Sequence, residues 1–264
     1  MKILHVGDIM GRPGRLALRR LLPRVVHQHQ VDLTIVNCEN ACGGMGITPE
    51  VADELLSWEV HVLTSGNHIW HKREICPYLE REPRLLRPEN FPDAPGKGSA
   101  VVETVAGIPV AVVNLQGRVF MPQLVEDPFR VGERVAGELK ARGAHVIVVD
   151  FHAETSSEKI ALARFLDGRV SAVLGTHTHV QTCDEQVLPG GTARICDIGM
   201  TGPHESVIGM RVDRALERIR SQRPVSFEVA RHDVRLEGVV VEVDERTGRA
   251  LRIERVRELL SDLG

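Results

Sequence analysis

Six short apolar runs rich in β-branched residues punctuate the chain: Ile3 to Val6, Leu33 to Val36, Val60 to Leu63, Val110 to Val113, Val146 to Val149 and Ala172 to Leu174. Runs of this length without polar alternation belong to strands buried on both faces, and helical periodicity fills several of the gaps between them. The pattern predicts an α/β fold built largely on parallel strands. The first helix carries Leu18, Leu21, Leu22 and Val25 on one face, with Pro23 inside it, where the missing N–H should kink it. Further helices are expected over Pro49 to Ser57, with Thr48 as its cap, over Arg130 to Arg142, closed by Gly143, over Ser156 to Leu166, with Ser156 or Ser157 as cap, and over Arg211 to Gln222.

Around residues 99 to 115 the pattern changes to two strands joined at Ala106-Gly107. A second pair, Val239 to Val243 and Leu251 to Val256, flanks Glu245-Arg246-Thr247-Gly248. Antiparallel strands therefore accompany the parallel ones. The Pro-rich stretch from Pro83 to Pro95 reads as a loop, and nothing in the chain reads as an interdomain linker. A length of 264 residues suits one α/β unit, so residues 1–264 are expected to form a single domain.

Composition narrows the function. The net charge is −3 with both signs interspersed, which leaves no basic track for duplex nucleic acid or an anionic membrane; a small substrate fits better. No apolar stretch is long enough to span a bilayer, and the N-terminus runs straight into a strand, so a cytoplasmic location is expected. Five cysteines without a Cys-x-x-Cys pair read as reduced thiols rather than a zinc ribbon. An apolar face on one hairpin offers a route to a homo-oligomer.

The chemistry lies at the strand ends. They carry Gly7-Asp8, then Asn37-Cys38-Glu39-Asn40, Ser65-Gly66-Asn67-His68, Asp150-Phe151-His152-Ala153-Glu154 and Gly175-Thr176-His177-Thr178-His179. In a parallel sheet the carboxyl ends of the strands share one rim, which brings these residues together. Strand alternation sends His177 and His179 to the same side of the backbone and Cys38 to the side opposite Glu39. Taken singly, Asp8, Glu39 and Asn40 read as caps or turn formers; five coincidences at one rim read as a site. Two carboxylates, two amide oxygens and three imidazoles exceed the needs of one four-coordinate ion and suit a pair of cations bridged by a carboxylate. His68, beside Asn67, is then free for proton transfer.

These blocks resemble the motif set of the calcineurin-like metallophosphoesterases, from Asp8 through His179, with Gly66-Asn67-His68 and Gly175-Thr176-His177-Thr178-His179 as the most specific pieces. The usual Asp-x-His opening is Asp8-Ile9-Met10 here, and Glu39 with Asn40 stands where a bridging Asp is usual. Those departures resemble the YmdB-like branch of the superfamily. The resemblance implies an α/β/β/α sandwich of mixed sheets flanked by helices. It places one metal on Asp8, Glu39, Asn40 and His179, and the other on Glu39, Asn67, His152 and His177; exchanging His177 and His179 is the alternative. It implies two divalent or mixed-valence ions, iron or manganese before zinc or cobalt, and a phosphodiesterase acting on small phosphodiesters, notably 2′,3′-cyclic nucleotides. The expected chemistry is attack by a metal-held hydroxide, with His68 as general acid.

A phosphomonoesterase, a nuclease and a nucleotide-binding signalling protein are the competing readings. Asp150 and Glu154 flank His152 and are candidates to orient a ligand imidazole. Arg12 with Gly11 and Gly14, and the glycines of Ala41-Cys42-Gly43-Gly44-Met45-Gly46, are candidate substrate loops, and Trp70 is a candidate platform for a base. His71 and His204 are lesser candidates for the rim.

Overall fold

The chain begins with strands β1 (Lys2–Val6) and β2 (Asp8–Ile9), helix α1 (Gly11–His29), strand β3 (Leu33–Asn37), helix α2 (Pro49–Leu56), strand β4 (Val62–Thr64) and helix α3 (Ile75–Arg81). Next come β5 (Ser99–Glu103), β6 (Pro109–Gln116), α4 (Pro128–Ala141), β7 (Val146–His152), α5 (Ser156–Phe165) and β8 (Ala172–Thr176). The remaining elements are β9 (Gln186–Val187), β10 (Ala193–Ile195), β11 (Met200–Pro203), α6 (Val212–Ser221), β12 (Val234–Val243) and β13 (Ala250–Leu259). This computed structural model describes residues 1–260, so the last four of the expected domain lie outside it.

The strands form two mixed sheets. One runs β2-β11-β12-β1-β3-β4 with β13 added on β12, and the other runs β5-β6-β7-β8-β10-β9. They pack face to face through a dry layer in which Ile3, Leu33, Ile35 and Val241 of the first meet Val110, Val112, Val146, Val148 and Leu174 of the second. Each aliphatic side chain buried there contributes about 1.5–3 kcal/mol. On the outer face of the first sheet, Leu18, Leu22 and Val25 of α1 pack with Ala52 and Leu55 of α2 and with Leu79 of α3. On the outer face of the second, Val131, Val135 and Leu139 of α4 pack with Leu162 and Ala163 of α5. The architecture is the expected α/β/β/α sandwich, and it explains the apolar runs: strands covered on both faces need no polar alternation.

Local signals fixed the helix ends with small shifts. Thr48 Oγ1 accepts from Val51 N, as expected of a cap. The cap of α5 is Thr155 rather than Ser156 or Ser157, because its hydroxyl accepts from Glu158 N. Helix α4 starts two residues before Arg130, since the Asp127 carboxylate accepts from Phe129 N and Arg130 N, and Pro128 suits the first turn. Pro23 lies inside α1 without ending it. Helix α3 and the short strands β9 to β11 carry too little periodicity to be seen in sequence. Among the described residues no helix is long and apolar enough to cross a membrane.

Candidate metal centre

The seven residues expected to bind metal gather at one place, although not along the rim of one sheet. Asp8 on β2, Glu39 and Asn40 after β3, and Asn67 after β4 come from the first sheet; His152 on β7 and the two histidines after β8 come from the second. Registers set the levels. Asn37 pairs with Thr64 and His152 with Thr176, so each group emerges at the same height on neighbouring strands. The site thus lies where the ends of two stacked sheets meet, which buries Asp8, Glu39 and His152 completely.

The reason His177 and His179 reach it differs from the expected one. Strand β8 stops at Thr176, so alternation does not apply. Both histidines instead take left-handed backbone conformations, with φ of 94° at His177 and 62° at His179. Such angles are costly for side chains with a Cβ and gather where function requires them.

Hydrogen bonding at the far nitrogen of each ring defines which nitrogen offers a lone pair. The Thr176 hydroxyl donates to Asp150 Oδ1 at 2.7 Å, so it accepts from His152 Nδ1 at 2.9 Å. This leaves the His152 Nε2 lone pair facing Glu39 Oε1 and Asn67 Oδ1, both 3.1 Å away. His177 Nε2 lies 3.0 Å from Glu154 Oε2 and donates to it, so its Nδ1 lone pair points at His152 Nε2, also 3.0 Å away. Four electron-donor atoms therefore converge with no shared proton able to satisfy them all. Such a set suits a divalent cation, and the Glu39, His152 and His177 donor atoms lie within 4.8 Å of one another.

Beside this cluster is a second one. His179 Nδ1 donates to Ile208 O at 2.9 Å, which turns Nε2 towards Asp8 Oδ1, 3.8 Å away, and Asn40 Nδ2, 3.1 Å away. Asn40 Nδ2 also reaches Glu39 Oε1 at 3.2 Å. Asp8 Oδ2 accepts from His177 N at 3.3 Å, whereas the buried Asp8 Oδ1 has no hydrogen-bond partner. An orphaned buried carboxylate oxygen facing an imidazole lone pair is again a cation's environment. His177 sits on the Glu39–Asn67–His152 side and His179 on the Asp8–Asn40 side.

The titration behaviour of the protein alone follows from this crowding. Burial pushes the Asp8 carboxyl up to about 6, with Glu39 adding to the shift and His179 and His152 opposing it. Burial acts in the same direction on Glu39, but His152 and His68 outweigh it and hold that carboxyl well below its usual range. Burial disfavours a charged His152, yet Glu39, Asp8 and Asp150 raise its pKa to about 9, so in the protein alone its Nε2 carries a proton that a bound cation would displace. Burial and the neighbouring His152 lower His177 to about 3, so it stays a neutral base. The buried carboxylates thus favour positive charge at His152.

His68 lies at the mouth of the site with its side chain 24% exposed. Its Nδ1 donates to Asn40 Oδ1 at 2.8 Å, and its amide donates to Glu39 Oε2 at 3.1 Å. That leaves Nε2 as the ring nitrogen not held by Asn40.

Supporting groups lie behind these residues. Asp150, fully buried, accepts from Thr176, from the Thr64 hydroxyl and from Asn37 Nδ2, the last at 3.0 Å, while His5 Nε2 lies 3.3 Å away. It therefore orients His152 through Thr176. Asp197 Oδ2 accepts from Thr178 N at 3.0 Å, from Thr178 Oγ1 at 2.6 Å and from Lys159 Nζ at 3.1 Å, clamping the residue between the two left-handed histidines. At Gly66 a Cβ would stand 2.2 Å from His152 Cδ2 and 2.4 Å from Glu39 Oε2, so only glycine lets the backbone pass.

A family model described as YmdB-like protein matches residues 4–256. The chain belongs to the YmdB-like family. A Bacillus subtilis (strain 168) relative named 2′,3′-cyclic-nucleotide 2′-phosphodiesterase is 43% identical over 257 residues, covering 97% of this chain and 96% of the relative. The crystal structure of a Mycoplasma pneumoniae protein described as a novel phosphatase superposes with a TM-score of 0.91 at 33% identity, covering 98% of this chain and 93% of that one. A Thermus thermophilus protein described as hypothetical gives a TM-score of 0.90 at 38% identity, covering 98% of this chain and 99% of that one.

Other residues singled out in this YmdB-like chain serve different ends. Trp70, half-buried, packs edge-to-face on Phe91 and against the helix-covered core. Arg12 lines an open cleft of about 1050 Å³ with Arg211, Glu228 and Val229. Gly44, with φ of 92°, is required because a Cβ there would stand 2.3 Å from Phe227 Cε1. His204 Nε2 donates to Met200 O, while the exposed His71 meets the His68 ring edge-on. Cys38 is fully buried, as expected, with its thiol donating to Thr64 O. Sequence reasoning missed Thr176, Lys159 and Asp197. Thr176 and Asp197 look like ordinary strand and loop residues, and a lysine on an amphipathic helix normally faces water.

Proposed function

We propose that this protein is a dimetal phosphodiesterase that opens 2′,3′-cyclic nucleotides. The observation that carries the proposal is the convergence of the Glu39, Asn67, His152 and His177 donor atoms beside the orphaned Asp8 oxygen. Asp8, Glu39, Asn40 and His179 would hold one cation, and Glu39, Asn67, His152 and His177 would hold the other, with Glu39 contributing to both. Iron or manganese is preferred by family resemblance, and zinc or cobalt would suit the same donors. The activity named for the 43% identical Bacillus relative supports the substrate class.

The chemistry that bound divalent cations supply is polarisation of the phosphoryl group and activation of water at neutral pH. The chain's own residues do the rest. Asp150 through Thr176, and Glu154 through His177, hold the imidazoles so that their lone pairs face inward. Asn40 fixes the His68 ring by its Nδ1, and His68 Nε2 gives a proton to the departing O2′ and is restored by the proton the attacking water releases. The P–O2′ bond breaks, water supplies the new oxygen on phosphorus, and the product is a nucleoside 3′-phosphate with a free 2′-hydroxyl.

A phosphomonoesterase is the second reading, favoured by the description of the Mycoplasma pneumoniae relative. Turnover of the purified, metal-analysed protein on 2′,3′-cyclic nucleotides, 3′,5′-cyclic nucleotides and phosphomonoesters decides between them. Preference for the 2′,3′-cyclic substrates is the expected result; preference for monoesters gives the second reading, and nucleotide binding without turnover on any of the three defeats both.

A further inference from the structure

The connection between β6 and α4 is pinned to the metal centre on both sides of an exposed aromatic residue. Gly117 N donates to the carbonyl of His152 at 2.9 Å, and Arg118 N and Val119 N donate to the buried Glu158 carboxylate at 2.9 and 3.2 Å. Gln123 Nε2 donates to the carbonyl of Asn67 at 3.4 Å, while Gln123 Oε1 accepts from Gln116 Nε2 at 3.2 Å. Met121 and Val125 are buried beneath the connection. Phe120 and Leu124 point the other way, 86% and 94% exposed. Phe120 also has a φ of 60°, which bulky residues rarely adopt.

Packing does not account for this arrangement. The chain has only six phenylalanines, two tryptophans and one tyrosine, so an aromatic ring held in water is hard to explain as chance. Phe151 is fully buried, Phe129 meets Phe165, Phe91 meets Trp70, Phe227 lies over Gly44, and Tyr78 is buried with its hydroxyl on Asp53. Phe120 is held out by a segment hydrogen-bonded to the backbone of Asn67 and His152, two of the residues whose side chains form the centre. A strained residue held in place by its surroundings points to use at a binding site.

We infer that Phe120 is the apolar platform on which the nucleobase rests while the cyclic phosphate occupies the metal centre. The inference rests on the phosphodiesterase reading above and assigns the base-contacting role to Phe120 rather than to the half-buried Trp70. Stacking needs no charged partner and accepts any base, so the platform supplies affinity for nucleotides over other diesters without choosing among bases.

The test compares the metal-loaded protein on 2′,3′-cyclic AMP and on glycerol 1,2-cyclic phosphate, which has the reacting ring but no base. Phe120→Ala is expected to raise KM for the nucleotide about tenfold and to leave kcat within about twofold. KM for the glycerol substrate stays unchanged, and Phe120→Trp restores the nucleotide value. Phe120→Gly, which relieves the left-handed backbone, gives the same result as alanine and separates recognition from folding. Equal changes on both substrates, or an unchanged nucleotide KM, overturn the inference. An unchanged KM accompanied by loss of a heavier species in sedimentation velocity assigns the patch to self-association instead. If the wild-type protein turns over neither substrate, the phosphodiesterase reading fails by itself. Calorimetry with adenosine 3′-phosphate then decides the platform: about tenfold weaker binding to Phe120→Ala sustains it, and equal binding ends it.

Discussion

Thr178 is the most informative single perturbation, because it separates the shape of the histidine loop from the ligands themselves. The left-handed backbone at His177 and at His179 costs about 1–3 kcal/mol at each residue. Between them the Thr178 amide and hydroxyl both donate to Asp197, whose charge is fixed by Lys159 in a pair whose side chains are 0% and 3% exposed. A hydrogen bond to a charged group contributes about 1.5–3 kcal/mol, so the hydroxyl alone is comparable to the strain at one histidine. Thr178→Val keeps the shape and removes that bond. Urea unfolding is expected to show a loss of about 1.5–3 kcal/mol, and chelator competition should show divalent-metal affinity lower by about 10- to 100-fold, as for other groups that orient ligands. Thr178→Ser keeps the hydroxyl and should behave as wild type. Asp197→Ala leaves the Lys159 ammonium buried without its counter-ion and should cost about 3–5 kcal/mol. Hydrogen exchange of amides 176–180 in metal-free protein reports the loop directly and should quicken in Thr178→Val. Wild-type metal affinity in Thr178→Val, or a serine variant as impaired as the valine, would refute the clamp.

Other expectations follow from the same geometry. His68→Ala should lower kcat by about 10²- to 10⁴-fold while metal content by elemental analysis stays near wild type; a metal loss as large as that in Asn67→Ala would remove His68 from the proton-transfer role. Gly66→Ala places a Cβ 2.2 Å from the His152 ring and should deplete metal without replacing any candidate ligand, so a fully loaded alanine variant would contradict the close approach described. Cysteine reactivity should follow burial: the exposed Cys183 reacts with iodoacetamide at about pH 8, whereas burial, with help from Asp184, pushes the Cys196 thiol up to about 11. Since the thiolate is the nucleophile, labelling of Cys196 should rise only as the pH approaches that value. Mass spectrometry of native protein that shows equal labelling of the two at the lower pH would refute this ordering.

Much of the molecule was legible in the chain. The largely apolar runs announced strands covered on both faces, and the two hairpins appeared as β5–β6 and β12–β13, joined by short connections at the positions expected. Polar blocks at strand ends identified all seven residues that the fold gathers. These features are local: a buried strand needs apolar residues wherever it sits, and a ligand must be of ligand type.

Tertiary structure decided the rest. Sequence alone placed the polar blocks on one rim of a parallel sheet, whereas they come from two sheets stacked face to face. His177 and His179 were expected to converge through strand alternation; they converge because two left-handed residues are clamped by Asp197 and Lys159, which are 38 residues apart in sequence. The roles of Thr176 and Gly66 likewise depend on neighbours brought from distant segments. The physical reason is the same in each case. Residue type and spacing constrain what a side chain can do within its own element, while lone-pair direction, burial and backbone strain are set by the groups that pack against it.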